Sequence, residues 1–169
     1  MMQGETDQAK VREEYGKLTR LLIERKVSIA TMESCTGGMI ASLLTDTEGS
    51  SEVFRGSYVT YSNEAKVQSG VPKETVERFG VYSAETAASM AEACRNALKT
   101  EIGLGITGSF GNADPANADS VPGEVFFAIA TSNGTKGFHC SIPRQSSRLA
   151  YKFYIADVVA GKLFDMIGR

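Results

Sequence analysis

Thr31-Met32-Glu33-Ser34-Cys35-Thr36-Gly37-Gly38 is the stretch whose reading decides the fold. A β-favouring run, Val27-Ser28-Ile29-Ala30-Thr31, leads into it, and a helix-compatible run, Met39-Ile40-Ala41-Ser42-Leu43-Leu44, leaves it. Hydroxyl and thiol side chains therefore collect at a strand-to-helix junction. Gly37 and Gly38 let another molecule approach the backbone closely. The N–H groups of a helix's first turn favour phosphate or a developing oxyanion. A plain Ser/Thr N-cap followed by a glycine turn would leave the same trace, so the octapeptide alone allows both readings.

Outward from the junction, strands and helices alternate as in a layered α/β domain. Upstream, Val11, Tyr15, Leu18, Leu21 and Leu22 line one helical face, with charges on the other; residues 1–9 are expected to fray. Downstream, strands are predicted near 27–33, 56–61, 102–107, 124–131 and 135–142, the last two joined by the turn Ser132-Asn133-Gly134. Ser62 is placed to cap a short helix that carries Lys66 on the side of Ser62 and Asn63. Ser83 caps a longer helix whose Ala87, Met90, Ala91, Cys94, Ala97 and Leu98 share a face. From Ser146 onward Leu149, Phe153, Ala156, Ala160, Leu163 and Ile167 keep helical spacing, with Arg144 and Arg148 at or just inside the start. Cations there oppose the helix dipole, a local conflict of the kind functional sites carry. Residues 108–123 form a loop rich in Gly, Asn, Asp and Pro, as long as a compact domain tolerates without a use for it.

Composition narrows the function classes. The 169 residues suit one domain, and 42% hydrophobic with 22% charged residues is ordinary for a globular chain. A formal net charge of -2 gives no basic footprint for nucleic acid, while a local Arg cluster can still hold a small anion. Cys35, Cys94 and Cys140 are odd in number and lack CxxC spacing, which predicts neither a disulfide framework nor a zinc site. A reducing cytoplasm suits them. No signal-peptide pattern and no apolar run of membrane-spanning length is present in the sequence. We therefore expect a soluble cytoplasmic protein without metal, cofactor or membrane partner.

His139 alternates with Phe138 and Cys140 and is expected to face outward, so neither a Ser-His-Asp triad nor a Cys35–His139 pair is favoured. A serine activated by a neutral lysine, with a tyrosine relaying a proton, remains. Ser34, Tyr61 and Lys66 each follow a predicted strand end, and such ends gather in one crevice of an α/β sheet. An unperturbed lysine is neutral in roughly one molecule in 2,500 at pH 7; burial, or a cation such as Arg144 or Arg148, would have to lower its pKa.

Glu33-Ser34-Cys35-Thr36-Gly37-Gly38, Tyr61-Ser62-Asn63-Glu64-Ala65-Lys66, Ile106-Thr107-Gly108 and the glycine-led hairpin 123–131, in this order, resemble the CinA-type C-terminal domain, the nicotinamide mononucleotide deamidase family. The resemblance runs from about residue 10 to the end. It implies a single α/β domain, a three-layer α/β/α sandwich with a mixed, mostly parallel sheet. It also implies hydrolysis of nicotinamide mononucleotide to nicotinate mononucleotide and ammonia. In those terms Ser34 is the nucleophile, Lys66 its base and Tyr61 a relay. Substrate-binding positions are Cys35, Thr36, Gly37, Gly38, Asn63, Thr107, Gly108, Arg144 and Arg148. Phosphate is expected at the first turn of the helix after Ser34, within reach of Arg144 or Arg148, and the oxyanion hole in the N–H groups of Cys35 to Gly38. A homo-oligomer is allowed by the sequence and not specified by it.

The chain departs from the family's pattern in three places. Gly111 to Gly123 is more acidic, with Asp114 and Asp119, and lacks the usual lysine; Ile142-Pro143 precedes Arg144 in place of Gly-Asp; and the link from Lys66 to Gly70 is one residue shorter. The altered loop leaves room for another amide or nucleotide as substrate, or for a nucleotide-binding module without turnover.

Overall fold

Successive strand residues face opposite sides of a sheet, and this sorts the core into two halves. Ile29, Leu104, Ile106, Val125, Phe127 and Ile129 pack on one face, and Ala30, Met32, Ala128 and Ala130 on the other. The computed structural model describes residues 6–168. Its strands are β1 (Ile29–Glu33), β2 (Phe54–Val59), β3 (Ile102–Gly108), β4 (Glu124–Thr131) and β5 (Gly134–Ser141). They form one sheet in the order β2-β1-β3-β4-β5. β1 pairs in parallel with both β2 and β3, whereas β4 runs antiparallel to β3 and to β5.

Helices α1 (Gln8–Arg25), α2 (Met39–Thr45) and α6 (Arg148–Ile167) cover the face of large side chains. The small-residue face receives α5 (Ala84–Leu98). Short helices α3 (Asn63–Gln68) and α4 (Lys73–Phe79) lie in the connection from β2 to α5. The result is the three-layer α/β/α domain with a mixed sheet that the resemblance implies. The pairing is parallel only among β2, β1 and β3.

What lets α5 sit so close is the absence of side chains beneath it. A Cβ on Gly105 would lie 2.3 Å from the Ala87 carbonyl oxygen and 2.4 Å from the Ala91 nitrogen, and one on Gly103 would lie 2.1 Å from the Ala91 carbonyl oxygen. Helix and strand meet backbone to backbone.

Several boundaries differ from expectation. β2 ends at Val59, two residues early, because its pairing with β1 is exhausted where β1 ends at Glu33, opposite Val59; Tyr61 therefore leaves the sheet. Residues 73–79 form a helix. α1 begins at Gln8 behind Asp7, whose carboxylate accepts from the N–H groups of Ala9 and Lys10, so residues 8 and 9, expected to fray, are helical; residues 1–5 lie outside the described residues. α6 starts at Arg148 with Ser147 as its cap, and Leu149 is exposed, its place on the buried face taken by Ala150. Among the described residues no helix is long and apolar enough to cross a membrane.

The parallel strands β1, β2 and β3 end at the same sheet edge, and β4, running the other way, begins there. Residues 34–38, 60–62 and 109–123 thus share a crevice. Gly105→Ala is expected to lower stability by about 1 to 3 kcal/mol, read as a lower urea midpoint with an unchanged m-value.

Candidate active site

The junction is held by a carboxylate. Glu33, the last residue of β1, is fully buried. Its Oε1 accepts from Thr36 Oγ1 at 2.7 Å and the Ile40 N–H at 3.0 Å, and its Oε2 from the Ala41 N–H at 2.9 Å and Thr31 Oγ1 at 3.2 Å. Four donors offset the desolvation of a buried acid, and the side chain supplies the cap that Gly38, at the N-cap of α2, cannot. This corrects the expected placement of phosphate: the first-turn N–H groups of α2 already serve an anion belonging to the chain. Gly37 and Gly38 adopt φ of +59° and +95° to complete the turn.

Ser34 follows Glu33, its N–H donating to the Ile106 carbonyl at 3.0 Å, so the strand β3 fixes its backbone. Ser62 Oγ caps α3 by accepting from the Ala65 N–H, and one turn on Lys66 turns inward, 2% exposed. Lys66 Nζ donates to the Thr60 carbonyl at 2.8 Å and lies 3.1 Å from Ser34 Oγ. Burial lowers the lysine to about 8, opposed by the Cys35 sulfur and the Asp114 carboxylate. Burial is thus the cause, where the sequence had allowed an arginine. A neutral amine in this position gives an N–H to Thr60 and turns its lone pair to the serine hydroxyl, which is the geometry of a general base.

The rival nucleophile is poorly placed. Burial, reinforced by the Glu33 carboxylate, pushes the Cys35 thiol up to about 12, and hydrogen bonds from its own and the Thr36 N–H oppose this only partly. Cys35 therefore stays a thiol at neutral pH. Cys94 is buried in the core, as its spacing predicts. His139 faces outward on β5, stacked on Phe126 and hydrogen-bonded to Glu124.

A cleft of about 470 Å³ opens over Ser34; of the substrate-binding positions that the resemblance implies, Cys35, Asn63, Gly108 and Arg148 line it, together with Tyr61. Thr36 and Thr107 do not: Thr36 is tied to Glu33, and Thr107 Oγ1 donates to the Val81 carbonyl at 2.8 Å, so both are scaffold. Gly37 and Gly38 shape the turn without lining the cleft, and Arg144 is exposed outside it. Tyr61 is 63% exposed, and its hydroxyl accepts from Arg148 Nη2 at 3.0 Å, at the mouth. That position does not suit the expected relay. The Arg148 guanidinium also sits 5.5 Å from the Phe110 ring centroid.

The sequence marked Asp114 only as an acidic departure of the loop, and it did not single out Tyr82, Phe110 or Asn117, which line the cleft with it. Asp114 Oδ2 accepts from the Tyr82 hydroxyl at 2.5 Å and Asn117 Nδ2 at 2.7 Å, and its Oδ1 from the Ala116 N–H at 2.8 Å. Asn117 and Asn63 exchange amide hydrogen bonds at 2.9 and 3.3 Å, joining the loop to α3. The traces in the sequence are the Gly-, Asn-, Asp- and Pro-rich composition of 108–123 and the acidic departure at Asp114.

The family profile described as the CinA C-terminal domain matches residues 11–155. The chain is 43% identical over 132 residues to a CinA-like protein of Flavobacterium psychrophilum, covering 76% of this chain and 31% of that one. It is 39% identical over 149 residues to a CinA-like protein of Shewanella denitrificans, covering 88% and 34%. It thus spans about a third of the length of these curated relatives. Among solved structures, the competence/damage inducible protein CihA from Agrobacterium tumefaciens superposes with a TM-score of 0.84 at 26% identity over 98% of both chains. A competence or damage-inducible protein from Enterobacter asburiae gives 0.85 at 26% identity, over 94% of this chain and 98% of that one.

Two outcomes follow from the buried groups. Glu33→Ala strands the Ile40 and Ala41 N–H groups and is expected to cost about 2 to 4 kcal/mol in denaturant unfolding. Lys66 is lowered in the folded chain, so the unfolded state binds the extra proton: stability rises as pH climbs from about 8 towards the free-lysine value. Lys66→Met is expected to gain about 1 to 3 kcal/mol at pH 7 and to flatten that slope.

Proposed function

The chain belongs to the CinA C-terminal domain family, and from that premise we propose that it is a Ser/Lys amidohydrolase converting nicotinamide mononucleotide to nicotinate mononucleotide and ammonia. The observation that carries this reading is the buried Lys66 amine, lowered to about 8 and 3.1 Å from Ser34 Oγ. An isolated scaffold has little reason to bury a lysine against a serine hydroxyl, since the charge must be given up to do so.

Ser34 Oγ attacks the carboxamide carbon while Lys66 takes its proton. The tetrahedral intermediate collapses, and Lys66 returns that proton to the departing nitrogen, which leaves as ammonia. Water, deprotonated by the same amine, then cleaves the acyl-enzyme and regenerates Ser34. Gly37 N–H donates to the Ser34 carbonyl, so the oxyanion falls to the N–H of Cys35, the residue after Ser34 that lines the cleft. Arg148 and Tyr61 at the mouth receive the phosphate, a guanidinium being suited to its geometry. A binding-only role would leave the assembled serine–lysine pair without a task.

Ammonia release from nicotinamide mononucleotide by the purified chain tests the assignment. Ser34→Ala and Lys66→Ala are each expected to reduce kcat/KM by at least about a thousandfold with folding intact, and Cys35→Ala to keep most of it. kcat/KM should rise with pH and level off above about 8, as Lys66 loses its proton. An active Ser34→Ala chain, or no ammonia from the intact one, would defeat the proposal.

A further inference from the structure

We infer that Asp114 is the residue by which this cleft selects a positively charged ring amide over its neutral counterpart. The inference rests on the amidohydrolase reading for the ring's orientation, with its carboxamide towards Ser34.

The charged side chains lining the cleft are Glu64, Asp114 and Arg148, with the Lys66 amine beneath Ser34. In its working form Lys66 is neutral. Glu64 is exposed at the rim, where solvent screens it. Arg148 is engaged at the mouth by Tyr61 and Phe110. Asp114 is the fixed anion of the loop wall, held by Tyr82, Asn117 and the Ala116 N–H, and those bonds keep its carboxyl below the ordinary range. Its field reaches the nucleophile's base, since it opposes the lowering of Lys66.

The cleft therefore carries both signs of charge, a carboxylate held by the Tyr82 hydroxyl and a guanidinium over the Phe110 ring. A planar cation carrying an anionic tail finds a partner for each charge, as a pyridinium nucleotide does. A neutral ring of the same shape fills the space and leaves the carboxylate's field unanswered. The loop that carries Asp114 is also the part of the chain with the most acidic departure from the family's pattern.

Calorimetric titration in the Ser34→Ala background tests this without turnover. The probes are nicotinamide mononucleotide and the C-nucleoside phosphate in which a phenyl carbon replaces the ring nitrogen. The Ser34→Ala chain is expected to bind the charged probe about five- to tenfold more tightly. Adding Asp114→Asn, which keeps a side-chain acceptor for Tyr82, should erase that ratio and leave affinity for the neutral probe unchanged. Adding Tyr82→Phe, which loosens the wall but keeps the charge, should preserve the ratio even if both affinities fall. Equal weakening of both probes by Asp114→Asn, loss of the ratio in Tyr82→Phe, or no preference to begin with would overturn the inference. So would the absence of binding by either probe. A charge preference in Ser34→Ala together with no ammonia from the intact chain would leave Asp114's role standing and remove the hydrolytic reading instead.

Discussion

The Glu33 carboxylate is the constraint on which the site depends. It lies at the end of a strand paired on both sides, so its backbone has no freedom, and its side chain gathers Thr31, Thr36 and the first amides of α2 around one point. With those four donors aimed inward, the next residue, Ser34, has one position available. The usual division of labour at such junctions, in which the helix start greets the substrate's phosphate, is thereby reassigned. The protein's own acid takes the amides, and in the proposed function the phosphate is left to Arg148 at the start of α6.

Lys66 shows the opposite solution to burying an ionisable group. Glu33 has enough donors to be kept as an acceptor; Lys66 has one carbonyl, that of Thr60, and one hydroxyl, that of Ser34. A lysine with so few acceptors is held more cheaply without its proton. The two residues meet through the backbone as well, because the Thr60 N–H donates to the Glu33 carbonyl at 2.9 Å. The placing of Lys66 against Ser34 is thus a by-product of how the end of β1 and the turn into α3 accommodate buried polar groups.

Much of this could be read in the sequence where the cause is local. A buried apolar run marked the strand near 102–107 and the Ser132-Asn133-Gly134 turn the one near 124–131, the hydroxyl caps Ser62 and Ser83 stood where helices begin, and the outward turn of His139 followed from period two. The pairing of Ser34 with Lys66 needed the gathering of strand ends together with the family resemblance. What stayed hidden depends on contacts distant in the chain. No property of Glu33 itself announces that it caps α2, since that follows from β1's register. Tyr61 lay within a β-favouring run, yet β2 stops two residues earlier because its partner strand has ended. The hydrogen bond from Tyr82 to Asp114 spans 32 positions and is invisible to any periodicity.

The loop wall draws its order from a few side-chain hydrogen bonds, to itself, to Asn63 and to Tyr82, and contributes little to the apolar core beyond Phe110. Glu33 instead ends β1, Ser34 follows it directly, and Lys66 stands on α3, the helix that follows β2. The framework and much of the cleft's lining are consequently written in separate parts of the chain. Residues 111–122 can be exchanged by drift or by design, with new charges and new shapes, at small cost to the framework. Under the proposed function, a single scaffold of this kind can diversify into a set of catalysts that share one chemical step and differ in what they admit to it.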